Sequence, residues 1–434
     1  MRFNSRTQFS FILIVSFVLI FFTNQATALP QFARRYNLKC SACHTIVPVL
    51  NEQGELFQRL GYHLPPALQP SHVPSKLSAL PEGADWSLTN NASFAVADFG
   101  YSAERTTQEG QPSSSTSAFQ VNSWNAYFAG WIPDTNFFYH AELDIVSGGS
   151  TNPDLSNACI GYAGGTAKNS WYVVGGREHL QVAQGTRAAQ IYSLLPNSPL
   201  LFEQPSATNF VIDQSPVGVN AGYTWISDNY RRVFAASAKV TNGVNADGSE
   251  ILTSSNRNSK DAWVDLDFWY APESGVTFID YYGKKDQNIT DSSGDILLTY
   301  HPVIRRQGVF ANYMFKYTAD VTAGYLHSHD GWLSALNAPP GNFIGDDYFV
   351  ALDYYIRQGF AISGRFDRLN QQITGVGGVG KQNVHDWTIG VNKTFTASGN
   401  IIGRIAYSDL SGRDPVAAVK STDRLVQADI SFNF

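Results

Sequence analysis

An all-β transmembrane barrel of about 16 strands, preceded by a small α-helical segment, is the fold class that this 434-residue sequence predicts. Three observations carry the prediction. From Trp86 onward, segments of about ten residues alternate polar with apolar side chains, as strands do when one face meets lipid and the other a wet lumen. That part of the chain holds no apolar run of the ~20 residues that a membrane-spanning helix needs. The chain's 58 aromatic residues (9 Trp, 21 Tyr, 28 Phe) crowd the strand ends, where barrels carry aromatic girdles.

The elements follow in order. Residues 1–28 read as an export signal: Arg2 and Arg6 give a positive start, Phe11 to Phe22 is apolar except for Ser16, and Ala26-Thr27-Ala28 offers small residues for cleavage. The apolar run is too short to be a membrane anchor. Residues 29–62 form a compact segment with Cys40-Ser41-Ala42-Cys43-His44 near its start. Phe57, Leu60 and Tyr62 recur at near-helical spacing and predict a short helix there. Residues 63–85 form a linker with five prolines, Pro65, Pro66, Pro70, Pro74 and Pro81.

Residues 86–434 form the barrel. In Ala262 to Tyr270, Val264, Leu266, Phe268 and Tyr270 share one face, and Asp265 and Asp267 the other. In Asn136 to Val146, Phe137, Tyr139, Leu143 and Ile145 oppose His140, Glu142 and Asp144. In Asp347 to Arg357, Tyr348, Val350, Leu352, Tyr354 and Ile356 oppose Asp353 and Arg357. Connections alternate between tight, as at Ala271 to Gly275, and long, as at Asn242 to Asp261. The stretch Glu178 to Pro205 breaks the alternation and carries Leu194-Leu195-Pro196 and Leu200-Leu201-Phe202. It reads either as a loop folded into the lumen or as an ordinary external loop. The chain closes on Val426 to Phe434, which alternates without a fault and resembles the terminal strand by which outer-membrane barrels are recognised for insertion.

Cys40, Cys43 and His44 make up C-x-x-C-H, the attachment motif of a c-type haem. Two thiols at that spacing reach the two porphyrin vinyl groups, and the adjacent imidazole ligates the iron. Haem attachment of this kind takes place after export, so the signal supports the motif. One covalent haem c per chain is expected. Its sixth ligand is open among His63, His72 and Met314; His63, at the head of the proline linker, is preferred, and as metal ligands His44 and His63 stand together. Met314 would face the lumen, because Tyr313, Phe315 and Tyr317 would face lipid. Cys159 stands alone in an apolar strand, as a small packing residue.

The imitation of a phosphate loop at Gly375 to Lys381 lacks the following Ser or Thr and sits between two strands, so it reads as a flexible loop. No catalytic constellation is apparent. After removal of the signal, 28 basic residues face 36 acidic ones, and the barrel part alone carries −9. That balance disfavours nucleic acid as a partner and suits a channel or surface that draws cations. The clusters His140, Glu142, Asp144 and Asp265, Asp267 have donors suited to Fe(II), but the simpler reading is a polar, wet lumen.

The run Leu29 to His44, with Pro48-Val49-Leu50-Asn51-Glu52-Gln53-Gly54, Phe57 and Gly61-Tyr62, resembles the opening of the fused outer-membrane monohaem cytochrome–porins. The best-known members are iron oxidases of iron-oxidising bacteria. The resemblance implies a haem segment in or at the barrel mouth, in the outer membrane of a Gram-negative bacterium. It implies electron transfer from extracellular Fe(II) or another donor to a periplasmic electron-carrier cytochrome, with outer-membrane lipid around the barrel. Whether such a chain counts as an Fe(II) oxidase stays open. Two other readings remain: a diffusion porin with a structural haem segment, and a soluble periplasmic haem enzyme with a β domain.

Overall fold

The structure is a computed structural model. It describes residues 44–46 and 49–50, the strands between residues 92 and 433 with parts of the connections joining them, and, in the longest loop, residues 194–195, 198–203, 212 and 215–216. The signal, most of the haem segment and the linker lie outside the described residues, as does the helix expected around Phe57 to Tyr62. Next to the motif, β1 (His44–Ile46) and β2 (Val49–Leu50) form a small antiparallel pair, with His44 opposite Leu50.

Sixteen strands close into one antiparallel barrel, as the alternation required. They are β3 (Ala92–Gln108), β4 (Ser114–Trp131), β5 (Phe137–Ser147), β6 (Asp154–Gly165), β7 (Asn169–Arg177), β8 (Val217–Ile226), β9 (Arg232–Thr241), β10 (Asp261–Tyr270), β11 (Ser274–Lys284), β14 (Val303–Phe315), β15 (Ala319–Trp332), β16 (Gly341–Arg357), β17 (Phe360–Gly375), β18 (Gly378–Thr394), β19 (Ile401–Arg413) and β20 (Lys420–Asn433). A separate hairpin of β12 (Gln287–Thr290) and β13 (Ile296–Tyr300) sits in the connection between β11 and β14. Closure comes from the last strand pairing with the first: Phe432 lies opposite Ala97, and Ser421 opposite Gln108. A closed sheet leaves no edge, so every backbone donor and acceptor within the lipid layer finds a neighbouring strand.

Side chains sort by period two. Along β10, Asp261, Trp263, Asp265, Asp267 and Trp269 are buried inside, while Val264, Leu266, Phe268 and Tyr270 are exposed outside. The same division holds on β16, where Val350, Leu352, Tyr354 and Ile356 point outward and Asp347, Phe349 and Tyr355 inward. In an aqueous fold such exposed apolar faces would be costly; facing lipid, they are the stabilised arrangement. Among the described residues no helix is long and apolar enough to cross a membrane.

The two ends differ. At one end the connections are short: β10 to β11, β14 to β15 and β16 to β17 turn within a few residues. Gly359 completes the last of these at φ 73°, a conformation that a side chain would strain. At the other end lie the long segments between β7 and β8 and between β9 and β10. Short turns mark the periplasmic end of such barrels. The first barrel strand starts at that end, beside the β4–β5 turn and the end of β20.

The glycine-rich stretch expected to be a loop is mostly strand. Gly375 pairs with Gly378, Ile373 with Gly380 and Gln372 with Lys381, so β17 and β18 run almost into one another. Backbone pairing within a two-sided ladder outweighs the low strand propensity of glycine here.

Candidate functional site

The lumen is built from the inward half of every strand and from the longest loop. That loop joins β7 to β8 and folds inside. Its helical turn α1 (Leu200–Glu203) packs against β16 and β17. Leu201, Phe202 and Ile212 are buried in one cluster with Trp263, Ile279, Phe310 and Leu369 of the inner wall. Phe202 stacks on Phe310 at 5.5 Å and leans on Phe349 at 6.2 Å. Gly324 makes this possible: a Cβ there would come within 2.3 Å of the Phe349 ring and 2.6 Å of Phe310. Of the two sequence readings of this stretch, the lumenal one holds.

Polar bonds fasten the same loop. Arg365 Nε pairs with Asp367 Oδ2 at 2.6 Å, and Arg365 Nη2 donates to the Ser198 carbonyl at 2.9 Å. Asp367 Oδ1 accepts from the Leu200 amide at 3.1 Å. A buried charge pair is thereby completed by loop backbone, which satisfies donors and acceptors that would otherwise be left dry. Sequence reading missed this clasp. Its signal was present as an acid and a base two residues apart, hence on one face of β17, but their partners lie 167 residues away.

The inner wall is acidic. Its buried charges comprise Asp261, Asp265, Asp267, Asp320, Asp330, Asp347, Asp367 and Asp386 against Lys239, Arg306 and Arg365, so the lumen side carries net negative charge. Arg306 forms a two-pronged pair with Asp330, one contact being 3.0 Å. Across the barrel, Phe138 and Ala129 are buried, but His140, Glu142 and Asp144 on the inner face of β5 keep partial exposure. Glu142 is held there by Asn157 at 2.8 Å and by Asn125 at 3.3 Å. Asp98 accepts from Ser123 at 3.1 Å and faces Arg404, which also binds Asp429 at 2.7 Å. The arrangement is a hydrogen-bonded passage, packed on its β9–β18 side and more open along β3–β5.

The sequence-named residues divide accordingly. Cys40, Cys43, His63 and His72 lie outside the described residues; His44 opens β1 in extended backbone. The donor chemistry, two thiols and an imidazole within five residues, is that of covalent haem. Met314 faces inward as expected, with Tyr313 and Phe315 exposed outside. Yet it is buried to 3 % and packs with Leu194, Tyr355 and Ala361, so the loop covers its thioether. His140, Glu142 and Asp144 share the inner face of β5, opposite Ala129, Tyr127 and Asn125. Asp265 accepts from Trp263 at 3.3 Å and from Ser237, and Asp267 from Thr277 at 2.5 Å. Among the described residues no group of three or more His, Cys, Asp or Glu side chains is placed to hold a metal ion. His140, Glu142 and Asp144 are half-buried, whereas Asp265 and Asp267 are buried among inward side chains rather than bathed by the lumen. Cys159 pairs with Gly176 and His140 in the sheet and packs beside Phe138 and Val174.

No family profile matches the chain. A stretch of 104 residues is 29% identical to a protein transport protein of Kluyveromyces lactis, covering 22% of this chain and 49% of that protein. The chain thus spans about half the length of that curated relative, and the match shows no family. Among solved structures, the anion-selective porin from Comamonas acidovorans superposes with a TM-score of 0.52 at 10% identity, over 79% of this chain and 99% of that one. The outer-membrane channel DcaP of Acinetobacter baumannii gives 0.50 at 10% identity, over 79% and 97%. At that identity the likeness is one of fold, and the fold is that of an outer-membrane porin.

Proposed function

We propose that this protein is an outer-membrane c-type cytochrome–porin of a Gram-negative bacterium that passes electrons across the outer membrane, from extracellular Fe(II) to a periplasmic cytochrome. The observation that carries the reading is C-x-x-C-H behind an export signal, joined in one chain to a barrel of porin fold. Cys40 and Cys43 would hold the haem through thioethers, His44 would ligate its iron, and His63 is the preferred sixth ligand. Bound there, the haem supplies a one-electron centre. The barrel's part is access: its acidic inner wall raises the local concentration of a divalent cation and disfavours anions. With one haem, transfer across the membrane requires that the haem segment reach into the lumen or that partners do so. The start of β3 at the short-turn end makes the periplasmic mouth the side from which it would reach.

Pyridine haemochrome assay of the detergent-solubilised protein should give one haem per chain, resistant to acid–acetone extraction. Cys40→Ser/Cys43→Ser should abolish it. Stopped-flow mixing of the oxidised protein with Fe(II) should then reduce it. A haem that stays oxidised with Fe(II) but not with a strong chemical reductant makes iron the wrong donor. Outer-membrane vesicles that pass no electrons to an enclosed acceptor would remove the electron-transfer reading altogether.

A second reading, a diffusion porin with a structural haem segment, is favoured by the loop docked inside the lumen. Fe(II) reduction separates the two.

A further inference from the structure

We propose that the outer surface of β16–β18 carries a binding site for a phosphorylated lipid headgroup of the outer leaflet, formed by Arg368 and His385 with Tyr348 opposite Arg368 and the aromatic pair Phe366 and Trp387 beneath them. The three rings are continuous across three strands. Phe366 and Trp387 pair directly, with rings 4.4 Å apart and tilted at 43°, and Tyr348 meets Phe366 at 6.3 Å. Trp387 is 60 % exposed, on the lipid side. Two residues further up β17 and β18, on the same outward face, stand the cross-strand partners Arg368 and His385, and Tyr348 of β16 lies opposite Arg368.

Height places this pair at a headgroup layer. Arg368 is eight residues beyond Phe360, where β17 leaves its short turn, and His385 nine residues before Thr394, where β18 approaches its own. A strand tilted by ~40° climbs roughly 2.5 Å per residue, so both lie about 20–23 Å above the periplasmic turns. An outward apolar band is about 25 Å tall. Between this pair and Lys393 at the foot of β18 the outward positions are apolar: Ile362 on β17, and Val391, Ile389 and Trp387 on β18.

Charge selects the occupant. Neighbouring outward acids are engaged elsewhere. Asp346 accepts from Tyr325 at 2.6 Å and meets His327 at 2.9 Å, while Asp409 is bound by Arg424 and Tyr407, each at 3.1 Å. Arg368 donates to Asn370 Oδ1 at 3.0 Å, and His385 Nε2 meets Ser411 Oγ at 2.8 Å. Among the described residues no carboxylate pairs with either. A guanidinium held by a neutral amide keeps free donors in the planar fork that suits phosphate. The aromatic pair beneath offers flat rings to the sugar or first methylenes of the same lipid.

The test uses the full chain folded in neutral detergent, with adducts counted by native mass spectrometry after addition of lipid A, a diphosphorylated glycolipid. Wild type should retain one more lipid than Arg368→Ala/His385→Ala, and the variant should bind roughly tenfold more weakly, the scale of losing charged hydrogen bonds. Arg232→Ala, at the short-turn end, should match wild type. Dephosphorylated lipid A should bind wild type and double variant alike. Equal retention of lipid A by wild type and variant would overturn the proposal. Displacement by equimolar inorganic phosphate would overturn the lipid assignment in favour of a free anion. Heat-dependent gel mobility reports that each variant is folded, and Arg368→Gln gives a milder version of the same comparison.

Discussion

Single residues in this barrel are held by chemistry that distance along the chain conceals. Arg306 and Asp330 lie inside, on adjacent strands, and both are buried. Removing one partner takes the paired opposite charge from the other in a buried setting. Asp330→Asn should therefore destabilise the folded barrel by about 3–5 kcal/mol, read as a lower urea midpoint in lipid vesicles. The double change Arg306→Met/Asp330→Leu should recover most of that loss. Met314 teaches the opposite lesson. Period two correctly turns it inward, but Leu194 and Tyr355 then seal it. Replacement by Leu should leave the haem spectrum unchanged, whereas His63→Ala should convert a low-spin spectrum to high-spin or shift its potential, because axial ligation controls both. An unaltered spectrum for His63→Ala would promote His72.

At the scale of elements, the inserted loop and the last strand carry the testable content. The loop is fastened by an aromatic stack and by the Arg365–Asp367 clasp. Phe202→Ala removes about 3 kcal/mol or more of packing and should raise single-channel conductance in planar bilayers. Gly324→Val should do the same by occupying the space that Phe310 and Phe349 fill. Unchanged conductance in both would mean that this loop does not narrow the passage. β20 closes the barrel against β3, with Phe432 edge-on to Phe99 at 6.0 Å. Deleting Phe434 should lower the yield of heat-modifiable protein in the outer membrane; full yield would detach that residue from assembly.

For the whole molecule, charge sign is the property most open to measurement. Eight buried aspartates against three buried bases give the lumen side a negative field. Reversal potentials in a salt gradient should show cation preference, weakening as ionic strength shortens the Debye length. Anion preference would contradict the role proposed for the acidic wall.

The barrel itself was legible in the sequence, because lipid on one side and water on the other impose a period of two on each strand. Val264 to Tyr270 and Val350 to Ile356 show the two faces in their order of residues alone. C-x-x-C-H was visible in the sequence as three residues within five positions, and the haem proposed for it rests on that spacing. What only the tertiary structure decided is where non-local partners meet. The lumenal path of the loop, the cover over Met314 and the clasp between Arg365, Asp367, Ser198 and Leu200 depend on closure, which brings together residues more than a hundred positions apart. Periodicity is a local property of a strand, whereas contact across a closed sheet depends on strand number, register and tilt together, and no single segment encodes those.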